Sequence, residues 1–294
     1  MHALNHSIRL VSGSCVSLAL AVSCAVAQPA PAFEPKVGQS GKDVVWVPTN
    51  QRLVDRMLDM AKVTAADYVI DLGSGDGRTV ITAAKRGATA HGIEYNPNMV
   101  ELSKKNAEKE GVAAKATFEK ADIFESDFSR ATVITMFLLP SLNVKLRPKL
   151  LDMKPGTRVV SNSFDMGDWR ADETVSLNGN GGCTSHCTAY FWIVPAKVQG
   201  KWKTPEGELT LEQTYQDVKG TLKNGNVIAP ITDGKLTGDQ IAFTAGGTRY
   251  TGTVTDKAIT GKANTGGKET EWTATAMALR PSVPGAAQPE SAPK

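Results

Sequence analysis

The chain has 294 residues, 33 Lys and Arg against 30 Asp and Glu, and a formal net charge of +3. That length is too great for one compact unit of ordinary size and short for three, so one large domain with a smaller one is expected. The near balance of charge, with no Lys/Arg-rich run, argues against a nucleic-acid footprint, which shows as a strongly basic face.

His2, His6 and Arg9 precede an apolar stretch over 10–22, and Ala25-Val26-Ala27 supplies the small-residue pattern that a signal peptidase reads. Residues 1–27 are therefore expected to be a signal peptide, and the protein to be exported, to the periplasm. An uncleaved membrane anchor competes with this reading. Ser12, Gly13, Ser14 and Ser17 interrupt the run, which barely reaches the roughly 20 apolar residues of a span. Lipid attachment at Cys24 is a third reading, weakened because Ala-Val-Ser-Cys lacks the usual leading leucine. Membrane contact is expected only if the segment is retained or lipidated.

Cleavage removes Arg9 and no acid, leaving +2, and takes Cys15 and Cys24 with it. The pair that remains, Cys183 and Cys187, reads as a local disulfide or an idle thiol pair in an oxidising compartment. With His186 it offers three ligands close in sequence where structural zinc wants four, so no metal is expected.

Residues 28–43 open with a Pro/Ala-rich lead-in and read as a linker. Leu53, Val54, Met57, Leu58 and Ala61 then recur at helical spacing after Thr49 and Asn50, which can cap. A strand is expected over 68–72, a helix over 78–85 stopped by Gly87, and a second strand over 88–93. Asn96-Pro97 starts a helix that runs to Glu110 and ends at Gly111. Strands follow over 116–120, 132–137 and 157–161, with a helix over 142–151 interrupted near Pro148. Past Phe164 two strands, 173–177 and 188–194, are separated only by the Gly-rich NGNGGCTSHC, which suggests an antiparallel pair at a sheet edge. Strands alternating with helices predict an α/β, Rossmann-like sheet of seven strands, mostly parallel, over 44–196.

From Val198 the composition turns to Thr, Gly and Lys with period-2 alternation. ITDGKLTG at 231–238 resembles VTDKAITG at 254–261, an irregular hairpin-sized repeat that fits a small antiparallel barrel or sandwich over 197–280. Gly200-Lys201-Trp202 resembles the G-x-W opening of lipocalin-like barrels. The Pro-rich 281–294 is expected to be a disordered tail.

VIDLGSGDGRTV, residues 69–80, carries the chemistry. Gly73, Gly75 and Gly77 at a strand-to-helix junction let the backbone approach a ligand and aim free N–H groups at negative charge. The dinucleotide fingerprint G-x-G-x-x-G fails at Arg78. Asp71, ahead of the first glycine, would repel a pyrophosphate but accept from an ammonium. The ligand implied carries both a carboxylate and an amine. Glu94, closing the second strand in HGIEYN, can bind both hydroxyls of a ribose. Asp122, in KADIF, is placed to accept from an adenine amino group, with Ile123 packing on the ring. Amino acid, ribose and adenine together spell S-adenosylmethionine.

D-x-G-S-G-D-G-R, G-x-E-x-N-P and the A-D-I-F step resemble the class I S-adenosylmethionine-dependent methyltransferases. VWVPTN at 45–50 and FLLPSLNVKLRPKLLDMKPGTRVVS at 137–161 resemble, more narrowly, bacterial relatives of the protein-lysine methyltransferases that modify the ATP synthase c-ring protein and the adenine nucleotide carrier. The resemblance covers roughly 44–194. It implies that Asp71, Gly73, Gly75 and Gly77 line the methionine end, Glu94 the ribose and Asp122 the adenine, with Ser74, Tyr95 and Ile123 also in the cofactor site and Thr49 in the segment that covers it. Leu139 and Pro140 stand where many amino-methylating relatives carry an Asn/Asp-Pro-Pro-Tyr loop, so the DNA and glutamine methylation tied to that loop is disfavoured.

The expected acceptor is a protein, with lysine as the candidate nucleophile, or a small molecule. Asp165, Asp168 and Pro140 are candidates for the catalytic side. Trp169, Trp192 and Phe191 read as core rather than substrate cage, and His91 as packing. With two mature histidines, His91 and His186, a Ser-His-Asp triad has little to work with. The competing class is an exported binding protein that retains the fold without turnover, motivated by the cytoplasmic origin of the cofactor. A nicotinamide oxidoreductase is held back by Arg78 and Asp71.

Overall fold

The computed structural model describes residues 1–2, 33–179 and 182–277. The expected signal segment, residues 1–2 apart, and the expected tail lie outside the described residues. Asn50 caps α1 (Gln51–Met60), its side chain accepting from the Arg52 N–H at 3.0 Å, and Leu53, Val54, Met57 and Leu58 form the buried stripe. β1 (Tyr68–Leu72), α2 (Arg78–Lys85), β2 (Thr89–Glu94), α3 (Pro97–Lys109) and β3 (Ala116–Lys120) follow, α3 capped by Asn96 with Pro97 at its first turn. β4 (Val133–Met136), α4 (Pro140–Leu151) and β5 (Arg158–Asn162) complete the alternating part.

α4 begins two residues before its expected start and is not interrupted by Pro148. Pro140 sits in its first turn, where a missing N–H costs nothing. Pro148 deprives only the carbonyl of Val144 of its helical partner, and Val144 is exposed, so water can answer it.

The sheet runs β3-β2-β1-β4-β5-β7-β6, with β6 (Glu173–Ser176) and β7 (Thr188–Ile193) closing one side. β7 pairs antiparallel to both β5 and β6, so it lies inside the edge and β6 forms it. Composition decides this: β7 buries Ala189, Phe191 and Trp192, whereas ETVS of β6 buries none of its four residues. Trp169 and Trp192 are fully buried, the Trp192 indole N–H donating to the Trp169 carbonyl at 2.8 Å, so both are core. His91 faces β3, with Nδ1 2.8 Å from Thr117 Oγ1. Strand order reverses between β1 and β4, and the crevice beyond the carboxyl ends of those strands is where open α/β sheets bind ligands.

The second part is a closed eight-stranded antiparallel barrel rather than a sandwich: β8 (Gly200–Lys203), β9 (Gly207–Thr214), β10 (Asp217–Asn224), β11 (Val227–Thr237), β12 (Gln240–Ala245), β13 (Thr248–Val254), β14 (Ala258–Thr265) and β15 (Lys268–Ala276). Inward residues alternate along each strand, as in Leu209 and Leu211 of β9 or Ile241 and Phe243 of β12, and they pack on Trp202. β8 joins β15 to β9 and removes the last free edge. Sheet and barrel share one compact unit that begins at Pro35, so the structured part reaches further toward the amino terminus than the expected boundary at 44.

Candidate active site

At the carboxyl end of β1 the chain turns into α2 through Gly73, Ser74 and Gly75, the two glycines at positive φ. The N–H groups of Gly73 and Ser74 both donate to the Ile93 carbonyl at the end of β2, and Ser103 Oγ on α3 donates to the Gly75 carbonyl at 2.8 Å. The loop is therefore fixed before any ligand arrives. A Cβ at Gly75 would stand 2.8 Å from Trp46 Nε1, and one at Gly73 would stand 3.1 Å from a Leu138 methyl. Glycine is needed there because neighbours press on the backbone.

The loop forms one wall of a cleft of about 1030 Å³, counted out to its open mouth. Of the residues expected to hold the cofactor, the cleft brings together Thr49, Asp71, Gly73, Ser74, Gly75, Glu94, Tyr95, Asp122 and Ile123. Gly77 is not in the wall. It precedes α2 with φ +82, and a Cβ there would meet Phe118 and Ser103 within 3 Å, so its role is packing.

Asp71 is buried, 6% exposed, and Thr135 Oγ1 donates to its Oδ1 at 2.7 Å. Burial first, and then the nearby Glu94 and Asp76, raise its carboxyl to about 7 against the opposing hydroxyls of Thr135 and Thr79. Ser74 Oγ is buried against Gly92 with no hydrogen-bond partner. A buried carboxyl short of a cation fits a ligand that brings an ammonium.

Glu94 does more than face the cleft. Its two carboxylate oxygens accept from the Gly75 N–H at 3.0 Å and the Asn96 N–H at 2.9 Å, tying β2 to the loop and to the start of α3. Four lone-pair directions leave it able to accept from hydroxyls as well. Asp122 accepts from the Phe124 N–H at 2.9 Å and is ion-paired to Lys42, whose hydrogen bond holds the Asp122 carboxyl below its usual range.

Lys42 and Trp46 belong to a feature that the sequence pattern does not announce. Residues 38–46 fold into a small hairpin, with the Gly38 N–H on the Trp46 carbonyl and the Trp46 N–H on the Gln39 carbonyl, and this strap lies along the cleft. The end of the segment that reads as linker, 39–43, is thus a wall of the site. The one local signal is the apolar VVWVP at 44–48 that closes it.

The catalytic candidates fall outside the wall. Asp168 is engaged by Arg147 of α4 and accepts from Tyr215 Oη of the barrel at 3.0 Å, which makes it a brace between sheet and barrel. Asp165 closes a local turn by accepting from the Gly167 N–H, and Pro140 is the exposed first residue of α4. Flanking the cleft instead are aromatic groups. Phe137 lines it, and the rings of Phe164 and His186 lie 6.2 and 5.1 Å from the Phe137 ring. Cys183 and Cys187 form a disulfide that closes the loop carrying His186.

A family model described as the ANTKMT methyltransferase domain matches residues 71–173, ending before the barrel. A protein-lysine N-methyltransferase of Saccharolobus islandicus is 44% identical over 154 residues, covering 51% of this chain and 94% of that protein. The adenine nucleotide translocase lysine N-methyltransferase of Mus musculus is 29% identical over 52% of this chain and 71% of its own length. Among solved structures, an RNA methyltransferase from Salinibacter ruber in complex with S-adenosyl-L-homocysteine is 49% identical over 52% of this chain and 96% of that one, with a TM-score of 0.48.

Proposed function

From the premise that this chain belongs to the family of S-adenosylmethionine-dependent methyltransferases that includes the protein-lysine N-methyltransferases, we propose that its acceptor is a lysine side chain of a protein. The observation that carries the site's side of this reading is the buried Asp71 carboxyl in the cleft wall, which has hydroxyl partners but no cation. S-adenosylmethionine brings an ammonium, ribose hydroxyls and an adenine amino group, and Asp71, Glu94 and Asp122 would hold them in that order. Bound there, it supplies a methyl group on a sulfonium, already activated toward an amine.

The chain's own residues then bind, orient and exclude water. Trp46 and Leu138 press on the glycine loop from the strap and from the end of β4, keeping the cleft narrow. Holding two reactants in line is worth on the order of 7–11 kcal/mol at best. A lysine, with an ordinary pKa of about 10.4, must also lose a proton before its nitrogen can react.

The relatives' lysine activity supports turnover over a fold retained only for binding. Titration calorimetry of the chain with S-adenosylmethionine and S-adenosylhomocysteine is the test, and absence of binding by the folded protein overturns the reading. Incubation with a lysine-containing protein extract and tritiated cofactor, followed by peptide mapping, identifies the methylated residue type. Label on arginine or glutamine alone would refute the lysine acceptor.

Export to the periplasm belongs to the same proposal. The amino-terminal pattern of residues 1–27 supports it, and so does the Cys183–Cys187 disulfide, since such bonds persist in oxidising compartments. Mass spectrometry of the protein from whole cells should find a mature chain beginning at Gln28; an intact chain beginning at Met1 would refute cleavage.

A further inference from the structure

The disulfide loop beside the cleft gives His186 a defined environment that the cofactor site does not account for. His186 adopts φ +54, a left-handed conformation held between the two bridged cysteines. Its ring packs on Phe137 at 5.1 Å and Phe164 at 6.2 Å, and Phe137 is itself a wall of the cleft. A hydrogen-bonded chain runs from the cleft to this ring. Asn162 Nδ2 donates to the hydroxyl of Thr49, a cleft residue, at 3.1 Å, which turns Asn162 Oδ1 toward Ser163. Ser163 Oγ donates its one proton to that oxygen at 2.8 Å. It is then left to accept from His186 Nδ1–H, 3.1 Å away.

The chain thus selects the tautomer with the proton on Nδ1 and the lone pair on Nε2. The ring is solvent-exposed, no salt bridge among the described residues involves it, and its hydrogen-bond and ring partners carry no charge.

We propose that Phe137, Phe164 and His186 form the slot through which the acceptor lysine enters, and that His186 Nε2 takes the proton the lysine must lose. This rests on the methyltransferase reading above. The aromatic faces attract an ammonium, and imidazole is the side chain that exchanges protons between pH 5 and 8. The N–H bond of the ammonium breaks, its electron pair stays on the lysine nitrogen, and the proton makes imidazolium at His186. The exposed ring then returns the proton to bulk water, so no other co-reactant is needed. Ser163 and Asn162 are positioning residues.

The test uses the whole chain, 15N-labelled at histidine, with S-adenosylhomocysteine bound and Nα-acetyl-lysine methylamide as the lysine probe. Long-range 1H–15N spectra at pH 8 should show His186 protonated on Nδ1, and Ser163→Ala should lose that preference. The probe should shift the His186 ring signals while those of His91, held by Thr117, stay in place. With S-adenosylmethionine, His186→Gln should methylate the probe about a hundredfold more slowly near neutral pH. That deficit should shrink toward pH 10, with cofactor affinity unchanged. An Nε2–H tautomer, ring signals indifferent to the probe, or a wild-type pH profile in His186→Gln would each overturn the proposal. Failure of S-adenosylhomocysteine to bind would instead refute the methyltransferase reading; binding with a silent ring refutes the slot alone.

Discussion

Asp71→Asn should stabilise the free protein at pH 8 and abolish high-affinity cofactor binding. The native carboxyl is raised from 3.8 to about 7 because burial disfavours its charged form. Between those values the unfolded chain has released the proton that the folded chain still holds. Stability therefore falls as pH rises through that window and levels off above 7. About three pKa units at 1.36 kcal/mol each make the penalty ~4 kcal/mol at pH 8. At pH 5 only about a third of that has accrued, roughly 1–2 kcal/mol. Asparagine keeps an oxygen for the Thr135 hydroxyl, 2.7 Å from Oδ1 in the native protein, and removes the ionisation. At ~2–4 °C per kcal/mol for a domain of this size, the variant should melt about 8 °C or more above wild type at pH 8. The gap should narrow to a few degrees at pH 5. Scanning calorimetry at the two pH values measures this. A variant no more stable than wild type at pH 8, or a gap independent of pH, would refute the account of Asp71 as a carboxyl waiting for a cation.

Lys42→Ala should raise affinity for S-adenosylhomocysteine severalfold and reduce its salt dependence, because Lys42 occupies the Asp122 carboxylate that the adenine would claim; unchanged calorimetric affinity would contradict this. Glu94→Ala should lose cofactor affinity and also about 1–3 kcal/mol of stability, since the Gly75 and Asn96 N–H groups lose their acceptor. Glu94→Gln should recover part of the stability in urea melts, and equal loss in both variants would show that these two bonds do not matter. Tyr215→Phe removes a hydroxyl that donates to Asp168 at 3.0 Å and keeps the ring stacked on Trp169. A loss of about 1–2 kcal/mol in urea is expected, and amide exchange should quicken in 164–170 but not in the strap; no change in either would remove the brace.

The sheet and the cofactor side are legible because their signals are local. Asn50 and Asn96 mark helix starts by their own side chains, and the glycine loop announces itself by composition. What escapes depends on contacts between distant segments. Lys42 meets Asp122 across 80 residues, and neither the length nor the polarity of the strap distinguishes it from a linker. Asp168 reads as catalytic because an acid follows the fifth strand, yet its partners Arg147 and Tyr215 lie 21 and 47 residues away. The order of β6 and β7 is half legible: the apolar run of β7 marks an interior strand, but the pairing that puts it next to β5 is a tertiary choice.

The two sides of the cleft are held in different ways. The segment after β5 is fixed from both faces. Asn143 of α4 donates to the carbonyls of Phe164 and Asp165, Arg147 donates to that of Met166, and from the barrel Gln216 donates to that of Arg170. Phe164, at the proposed lysine slot, therefore sits on backbone clamped between helix and barrel. Among the described residues no backbone hydrogen bond ties the strap to the sheet. Its backbone hydrogen bonds close its own hairpin, and it meets the sheet through side chains such as Lys42 and Trp46. Local opening favours segments held by few bonds, so amide exchange should be faster across the strap than across 164–170. The barrel, outside the family match, reaches this same segment through Tyr215, which donates to Asp168, and Gln216, which donates to the Arg170 carbonyl.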